Sequence, residues 1–238
     1  MSFIKFASEY ELFSWAAEDF VARALAAFEH KDYFDVALSG GSTAQNYFAI
    51  LSKRLQGQIF LNRLRFFVSD ERVVDFSSKD SNAGNAWLKL LKPLGLAKSQ
   101  LFALHDQSYP PAQGALEYEK LLKELLHKEV PVFDIIYLGV GLDGHTASIF
   151  PYSTMVKNID ADPRLVAAPE EEVAGYKRLS FMPRLINAAA HICIMAPGAS
   201  KAQIINDIMT GPLDPIKLPA QLIMRTHNKN LSVLLSTS

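Results

Sequence analysis

The densest cluster of titratable and conformationally permissive residues in the sequence is Gly139-Val140-Gly141-Leu142-Asp143-Gly144-His145-Thr146-Ala147-Ser148. An imidazole of ordinary basicity exchanges protons with water near neutral pH, so His145 is suited to general acid–base work. The glycines also match the G-x-G-x-x-G spacing of a dinucleotide-binding turn, which wants an acidic residue about 20 positions further on, at the end of the next strand. Asp160 and Asp162 have that spacing. They sit, however, in Lys157-Asn158-Ile159-Asp160-Ala161-Asp162-Pro163, which has no strand character. Asp143 and His145 also put polar groups where a cofactor turn needs compact packing. The glycines are therefore read as clearing room for Asp143 and His145 to face a substrate. A lone histidine is more often structural, but a place between a glycine turn and an expected helix start reverses that preference.

Three other segments suit the binding of an anion. In Ser39-Gly40-Gly41-Ser42-Thr43, two glycines allow close backbone approach, and the next helix would offer free amides to a negative charge. The segment lacks the Gly-Lys-Ser/Thr ending of a nucleotide loop, so a small phosphate monoester fits better than a triphosphate. An ordinary capped turn is the competing reading. In Asp70-Glu71-Arg72, the guanidinium of Arg72 could hold a phosphate or a developing oxyanion in a two-pronged grip, against the alternative of a surface ion-pair turn. In Pro197-Gly198-Ala199-Ser200-Lys201, Lys201 falls in the first turn of an expected helix. A cation there opposes the helix dipole unless it faces an anion. Arg178, in Tyr176-Lys177-Arg178-Leu179-Ser180, is a further candidate. Charge-assisted bonds contribute roughly 1.5–3 kcal/mol each, so three would hold a phosphate in the micromolar to millimolar range after association costs.

These segments follow expected strands. Phe34–Leu38, Leu64–Val68, Leu101–Leu104, Phe133–Leu138, Ile192–Ala196 and Leu231–Leu235 are short apolar runs. Between them lie helical periodicities: about Glu9 to His30, from Thr43 through Tyr47, Ile50 and Leu51, Asn82 to Leu91, Ala112 to Lys128, and Ala199 to Met209. Continuous apolar strands alternating with helices predict an α/β sandwich, a mainly parallel sheet with helices on both faces. In such a sheet, ligands sit beyond the carboxyl ends of the strands, where the polar segments collect. Residues 151–175 are the least regular stretch and are expected to form a loop or lid.

Composition narrows the function classes. Lys and Arg number 24 against 25 Asp and Glu, and 49% of residues are hydrophobic. The near-neutral balance gives no sign of the basic face a nucleic-acid binder needs. The acidic run Glu170-Glu171-Glu172 reads as a solvated turn. No run approaches the roughly 20 apolar residues of a membrane-spanning helix, and the N-terminus does not read as a signal peptide. The one cysteine, Cys193, lies in an apolar strand and reads as a small buried hydrophobe. A soluble cytoplasmic protein with one domain over residues 1–238 is expected.

Taken together, these segments resemble the 6-phosphogluconolactonase family. The matching pieces are Ser39–Thr43, Asp70–Val73 with Ser81-Asn82, Gly139–Ser148, Arg178–Ser180 with Asn187-Ala188, Gly198–Lys201, and Leu218-Pro219-Ala220. They cover most of the chain. The resemblance implies a Rossmann-like three-layer sandwich and an esterase that needs no metal and no cofactor. It would open 6-phospho-D-glucono-1,5-lactone in the oxidative pentose phosphate pathway. It further implies that His145 activates water, that Asp143, Arg72 and Lys201 line the site, and that Ser42 and Thr43 lie near the phosphate. The expected partner is a small sugar-phosphate lactone, with no nucleic acid and no membrane. Monomer and homodimer both remain open.

The chain departs from the family pattern at Ala44, at Val74-Asp75, at Ser180, and at its end, Asn230–Leu235. The nearest alternative is a glucosamine-6-phosphate deaminase/isomerase-like enzyme. That family follows Asp-Gly-His with an Asn-Glu-containing segment, where this chain has Thr146-Ala147-Ser148-Ile149-Phe150-Pro151. A non-catalytic sugar-phosphate sensor on the same fold is a second alternative, and a nicotinamide dehydrogenase a distant third.

Overall fold

The structure, a computed structural model, describes residues 1–104, 108–157, 159, 162–226 and 230–238. In chain order its elements are β1 (Ser2–Phe6), α1 (Glu9–Ala27), β2 (Phe34–Leu38), α2 (Gly41–Leu55), β3 (Leu64–Val68), β4 (Asp70–Arg72) and α3 (Asn82–Ala86). Then come β5 (Leu101–Phe102), α4 (Pro111–Leu126), β6 (Ile135–Gly139), α5 (Thr154–Lys157), β7 (Val166–Ala167), β8 (Arg178–Phe181) and α6 (Pro183–Asn187). The chain closes with β9 (Ile192–Ala196), α7 (Ser200–Thr210), α8 (Gln221–Met224) and β10 (Leu231–Ser236).

Seven strands form one sheet in the order β1-β10-β9-β6-β2-β3-β5, and every pairing in it is parallel. Central strands of such a sheet are covered on both faces and read as near-continuous apolar runs. Accordingly, all five residues of β2 and of β9 are buried. Helices flank the sheet, giving the expected α/β architecture. From β2 the chain builds outward through β3 to β5. It then returns to the other side of β2 and builds outward through β6, β9 and β10. The direction reverses between β2 and β6, and a sheet opens a crevice at the carboxyl ends of its strands at such a point.

Aromatic packing fixes the frame. Phe20 of α1 meets Phe34 at 5.4 Å and Tyr137 of β6 at 6.5 Å, and Tyr47 of α2 meets Tyr137 at 5.0 Å. Three short strands form a second sheet, β4-β8-β7, with antiparallel pairings. Ser69 joins the two sheets: its N–H donates to Leu38 of β2 and its carbonyl accepts from Phe181 of β8. Phe133 then packs between Phe67 of β3 and Phe181, at 5.1 and 5.3 Å. The small sheet is thereby packed against the large one and joined to it through Ser69, just past the carboxyl end of β3.

Several boundaries differ from expectation. The Asn82–Leu91 helix is α3 followed by a π-helical turn over Trp87–Leu91, and the 101–104 strand shortens to two residues. Residues 70–72 form a short strand of their own. No helix begins after His145. Residues 146–149 form a tight turn closed by a bridge between Thr146 and Ile149, with Ala147 at φ 48°. A pyrophosphate would therefore find no helix N-terminus there, which weakens the dinucleotide reading. Of the two acidic candidates for that reading, Asp160 lies outside the described residues, and Asp162 lies in no strand and pairs with Arg164.

Candidate active site

The switch point between β2 and β6 carries a cleft of about 290 Å³. Its walls include Ser39, Gly40, Gly41, Ser42 and Thr43 after β2, Asp70 and Arg72 on β4, and Asn82 at the start of α3. Gly139, Val140, Gly141 and His145 follow β6, and Ala147, Phe150, Ala174, Arg178 and Lys201 complete the lining. Every site residue expected from the sequence except Asp143 thus lines one cavity, and Asp143 touches a residue that does.

His145 owes its position to the glycine turn. Gly141 N–H donates to the His145 carbonyl at 2.9 Å, and Gly144 N–H donates to Gly141 at 3.0 Å. A Cβ on Gly141 would collide with the imidazole of His145 and the carboxylate of Asp143. The ring can fold back only over a glycine. Asp143 Oδ1 lies 2.6 Å from His145 Nδ1 and also accepts the His145 backbone N–H at 3.1 Å. A carboxylate at Nδ1 assigns the proton of the neutral ring to that nitrogen, leaving Nε2 as the free base. Phe150 stacks on the imidazole with ring centroids 4.3 Å apart.

The phosphate-suited groups come from separate elements. Gly40 is the cap of α2 and supplies no side chain, so the first amides of a 15-residue helix have no side-chain acceptor there. Gly41 has φ +82°, a left-handed conformation that glycine adopts without strain. Lys201, in the first turn of α7, donates to the Val140 carbonyl at 2.7 Å. Burial pulls its ammonium below the ordinary lysine range, and Asp143 partly opposes that shift.

Arg72 and Arg178 face each other across the β4–β8 register. Like charges directly opposite on paired strands are destabilising. Arg72 Nη1 donates to the Asp80 carbonyl at 2.8 Å, while its buried Nε has no hydrogen-bond partner among the described residues. Arg178 Nε donates to the Val173 carbonyl at 3.1 Å, and its Nη1 donates to Ser148 Oγ at 3.3 Å. Burial pulls the Arg178 guanidinium down, and the Arg72 charge adds to that. Among the described residues, Arg72, Arg178 and Lys201 form no ion pair with a carboxylate. Three cations held by neutral acceptors, two of them opposed to each other, form a potential that an anion would relieve.

Sequence reasoning gave no site role to Asn82, Phe150, Asp70 or Ser148. Asn82 Nδ2 donates to the Asp70 carbonyl at 2.7 Å, and its side chain packs on Gly40. Glu71, by contrast, is structural. It is buried and accepts from the N–H groups of Arg72, Asn82 and Ala83 and from the Ser81 hydroxyl. Burial pushes its carboxyl up against the pull of those amides. Of Asp70-Glu71-Arg72, then, the middle residue ties α3 to β4 and its neighbours line the cleft. The Ser81-Asn82 pair, already part of the family resemblance, was the signal that could have identified Asn82.

No helix among the described residues is long and apolar enough to cross a membrane, and those residues include no metal-binding cluster of His, Cys, Asp and Glu. A profile described as glucosamine-6-phosphate isomerases/6-phosphogluconolactonase matches residues 7–233. A Treponema pallidum protein named 6-phosphogluconolactonase is 34% identical over 209 residues, covering 84% of this chain and 86% of that protein. A Haemophilus influenzae protein of the same name is 32% identical over 226 residues, covering 94% and 92%. In fold, the chain superposes on the crystal structure of a 6-phosphogluconolactonase from Shewanella baltica. The TM-score is 0.87 over 100% of this chain and 98% of the other, at 23% identity. The chain belongs to the glucosamine-6-phosphate isomerase/6-phosphogluconolactonase family.

Proposed function

We propose that this chain hydrolyses 6-phospho-D-glucono-1,5-lactone to 6-phospho-D-gluconate, a step of the oxidative pentose phosphate pathway, with His145 as the general base. One observation carries the reading. A histidine oriented by a carboxylate at 2.6 Å shares a cleft with three cations that form no ion pair with a carboxylate among the described residues.

In this mechanism His145 Nε2 takes a proton from water as the water oxygen bonds to the lactone carbonyl carbon. Asp143 holds the ring through Nδ1–H and stabilises the imidazolium that forms. The oxyanion is met by Arg72 or by loop amides. The tetrahedral intermediate collapses by breaking the bond to the ring oxygen, which takes the proton back from His145. The acid product then ionises. The α2 amides, Ser42, Thr43, Arg178 and Lys201 hold the phosphate. Nothing in this scheme requires a metal or a cofactor. We further propose the cytoplasm as its compartment, in keeping with the buried free Cys193.

The test compares lactonase rates on phosphorylated and unphosphorylated gluconolactone, corrected for spontaneous opening. Phosphorylated lactone should be strongly preferred. His145→Ala should lose about 10²–10⁴-fold in kcat while still binding 6-phosphogluconate. Near wild-type turnover in that variant would refute the role of His145. Release of ammonia from glucosamine 6-phosphate would move the chain to the isomerase branch of its family.

A further inference from the structure

Asp70 and Arg178 are each only 5% exposed, and they lie close enough for the carboxylate to act on the guanidinium, yet they form no ion pair. Elsewhere in the same fold the equivalent groups do pair. Arg65 meets the buried Asp35 with two bonds, of 2.6 and 2.9 Å. At the cleft a hydroxyl stands between them. Ser148 Oγ donates to Asp70 Oδ2 at 2.7 Å and accepts from Arg178 Nη1 at 3.3 Å. With one proton and free lone pairs, a hydroxyl can serve both neighbours without carrying charge.

Ser148 is also fixed in place. It is 1% exposed, its N–H donates to Ser180 Oγ at 3.1 Å, and that hydroxyl donates to the Phe181 carbonyl at 3.0 Å. The residue before it, Ala147, has φ 48°, a conformation unfavourable for a side chain and held here by the turn around it.

We propose that Ser148 is a positioning residue: its hydroxyl keeps Asp70 and Arg178 from closing into an ion pair and so leaves the Arg178 charge available to the substrate's phosphate. The proposal rests on the reading that Arg178 grips that phosphate. Asp70 then holds the spacer in place, and an incoming phosphate meets a guanidinium that is fixed but not neutralised.

The experiment removes the spacer and then its cause. In Ser148→Ala, Arg178 closes on Asp70. The KM for phosphorylated lactone and the inhibition constant of 6-phosphogluconate should rise by about tenfold or more. The kcat, and turnover of unphosphorylated gluconolactone, should stay within about threefold. Adding Asp70→Asn to that variant removes the competing charge and should restore affinity to within about threefold of wild type. A merely structural role for Ser148 would not be repaired by a second cut in the same network. Asp70→Asn alone, which keeps the serine, should bind 6-phosphogluconate at least as tightly as wild type.

An unchanged KM in Ser148→Ala, failure of the double variant to recover, or weakened binding in Asp70→Asn alone overturns the proposal. A wild type that does not prefer the phosphorylated lactone instead removes the phosphate reading beneath it. The two failures are therefore distinguishable.

Discussion

The two rims of the large sheet treat charge in opposite ways. At the amino rim, cations and carboxylates pair. Arg65 grips Asp35 twice, and Lys31 donates to both oxygens of Asp134 at 2.9 and 2.7 Å. Asp134 also accepts the Asp35 N–H at 2.7 Å, and burial raises its carboxyl against the pull of Lys31. At the carboxyl rim, Arg72, Arg178 and Lys201 bond to carbonyls and a hydroxyl, and Asp70 bonds to serines. The first arrangement resolves the cost of buried charge within the fold. The second leaves it unresolved, and a ligand of opposite sign would resolve it. The contrast marks the rim of the candidate site independently of any motif.

The contrast can be broken most decisively at the amino rim. Asp35 is 2% exposed, so Arg65→Met should cost about 3 kcal/mol in urea unfolding, the low end for orphaning a buried charge because Lys31 remains 3.6 Å away. A variant as stable as wild type would show that the pairing there does not matter. Next comes ligand linkage. 6-Phosphogluconate at about 100 times its Kd should stabilise the wild type by about 2.7 kcal/mol, read as a rise in Tm. That rise should largely vanish in Arg178→Met.

The same Arg178→Met variant, without ligand, sharpens the comparison. Removing one of two opposed cations should change stability by less than about 1 kcal/mol, or raise it, where the Arg65 variant falls. A loss matching that of the Arg65 variant would show that Arg178 serves the fold.

The smallest effect concerns His191, at the amino end of β9, whose buried Nε2 has no hydrogen-bond partner among the described residues. Burial lowers its imidazole from 6.5 to about 4. The unfolded chain therefore takes up a proton below about pH 6.5 that the folded chain refuses until about pH 4. Stability should fall as pH drops through that window and be insensitive to this group above it. His191→Leu should flatten that part of a pH series of urea melts. An unaltered slope would exclude His191 as a source of acid lability.

Much of this was legible in the sequence. The strands at 34–38, 64–68 and 192–196 are apolar apart from Asp35 and Arg65, which pair with each other, because a parallel strand covered on both faces tolerates little else. The segments after those strands had to gather at one rim, because all strands of the sheet run the same way. Four strands escaped notice for physical reasons, among them the two-residue β7, which is a strand only through its pairing with β8. β1 is an edge strand with a half-exposed pattern, and its partner β10 lies at the far end of the chain. β4 and β8 are strands only because they pair with each other, and Asp-Glu-Arg has no strand propensity of its own. The helix expected after His145 failed because Thr146 turns back to bond the Gly139 carbonyl at 2.8 Å and the chain closes a tight turn instead.

By itself, then, the sequence determined the alternation of strand and helix, the rim at which polar residues collect, and the glycine turn that clears room for Asp143 and His145. These are local matters of periodicity, chain direction and backbone freedom. Only the tertiary structure decided that Arg72 opposes Arg178 and that Ser148 separates Arg178 from Asp70. Those relations depend on antiparallel pairing between segments far apart in the chain. Whether a buried charge meets a carboxylate or a hydroxyl is set by that pairing and not by any spacing along the sequence.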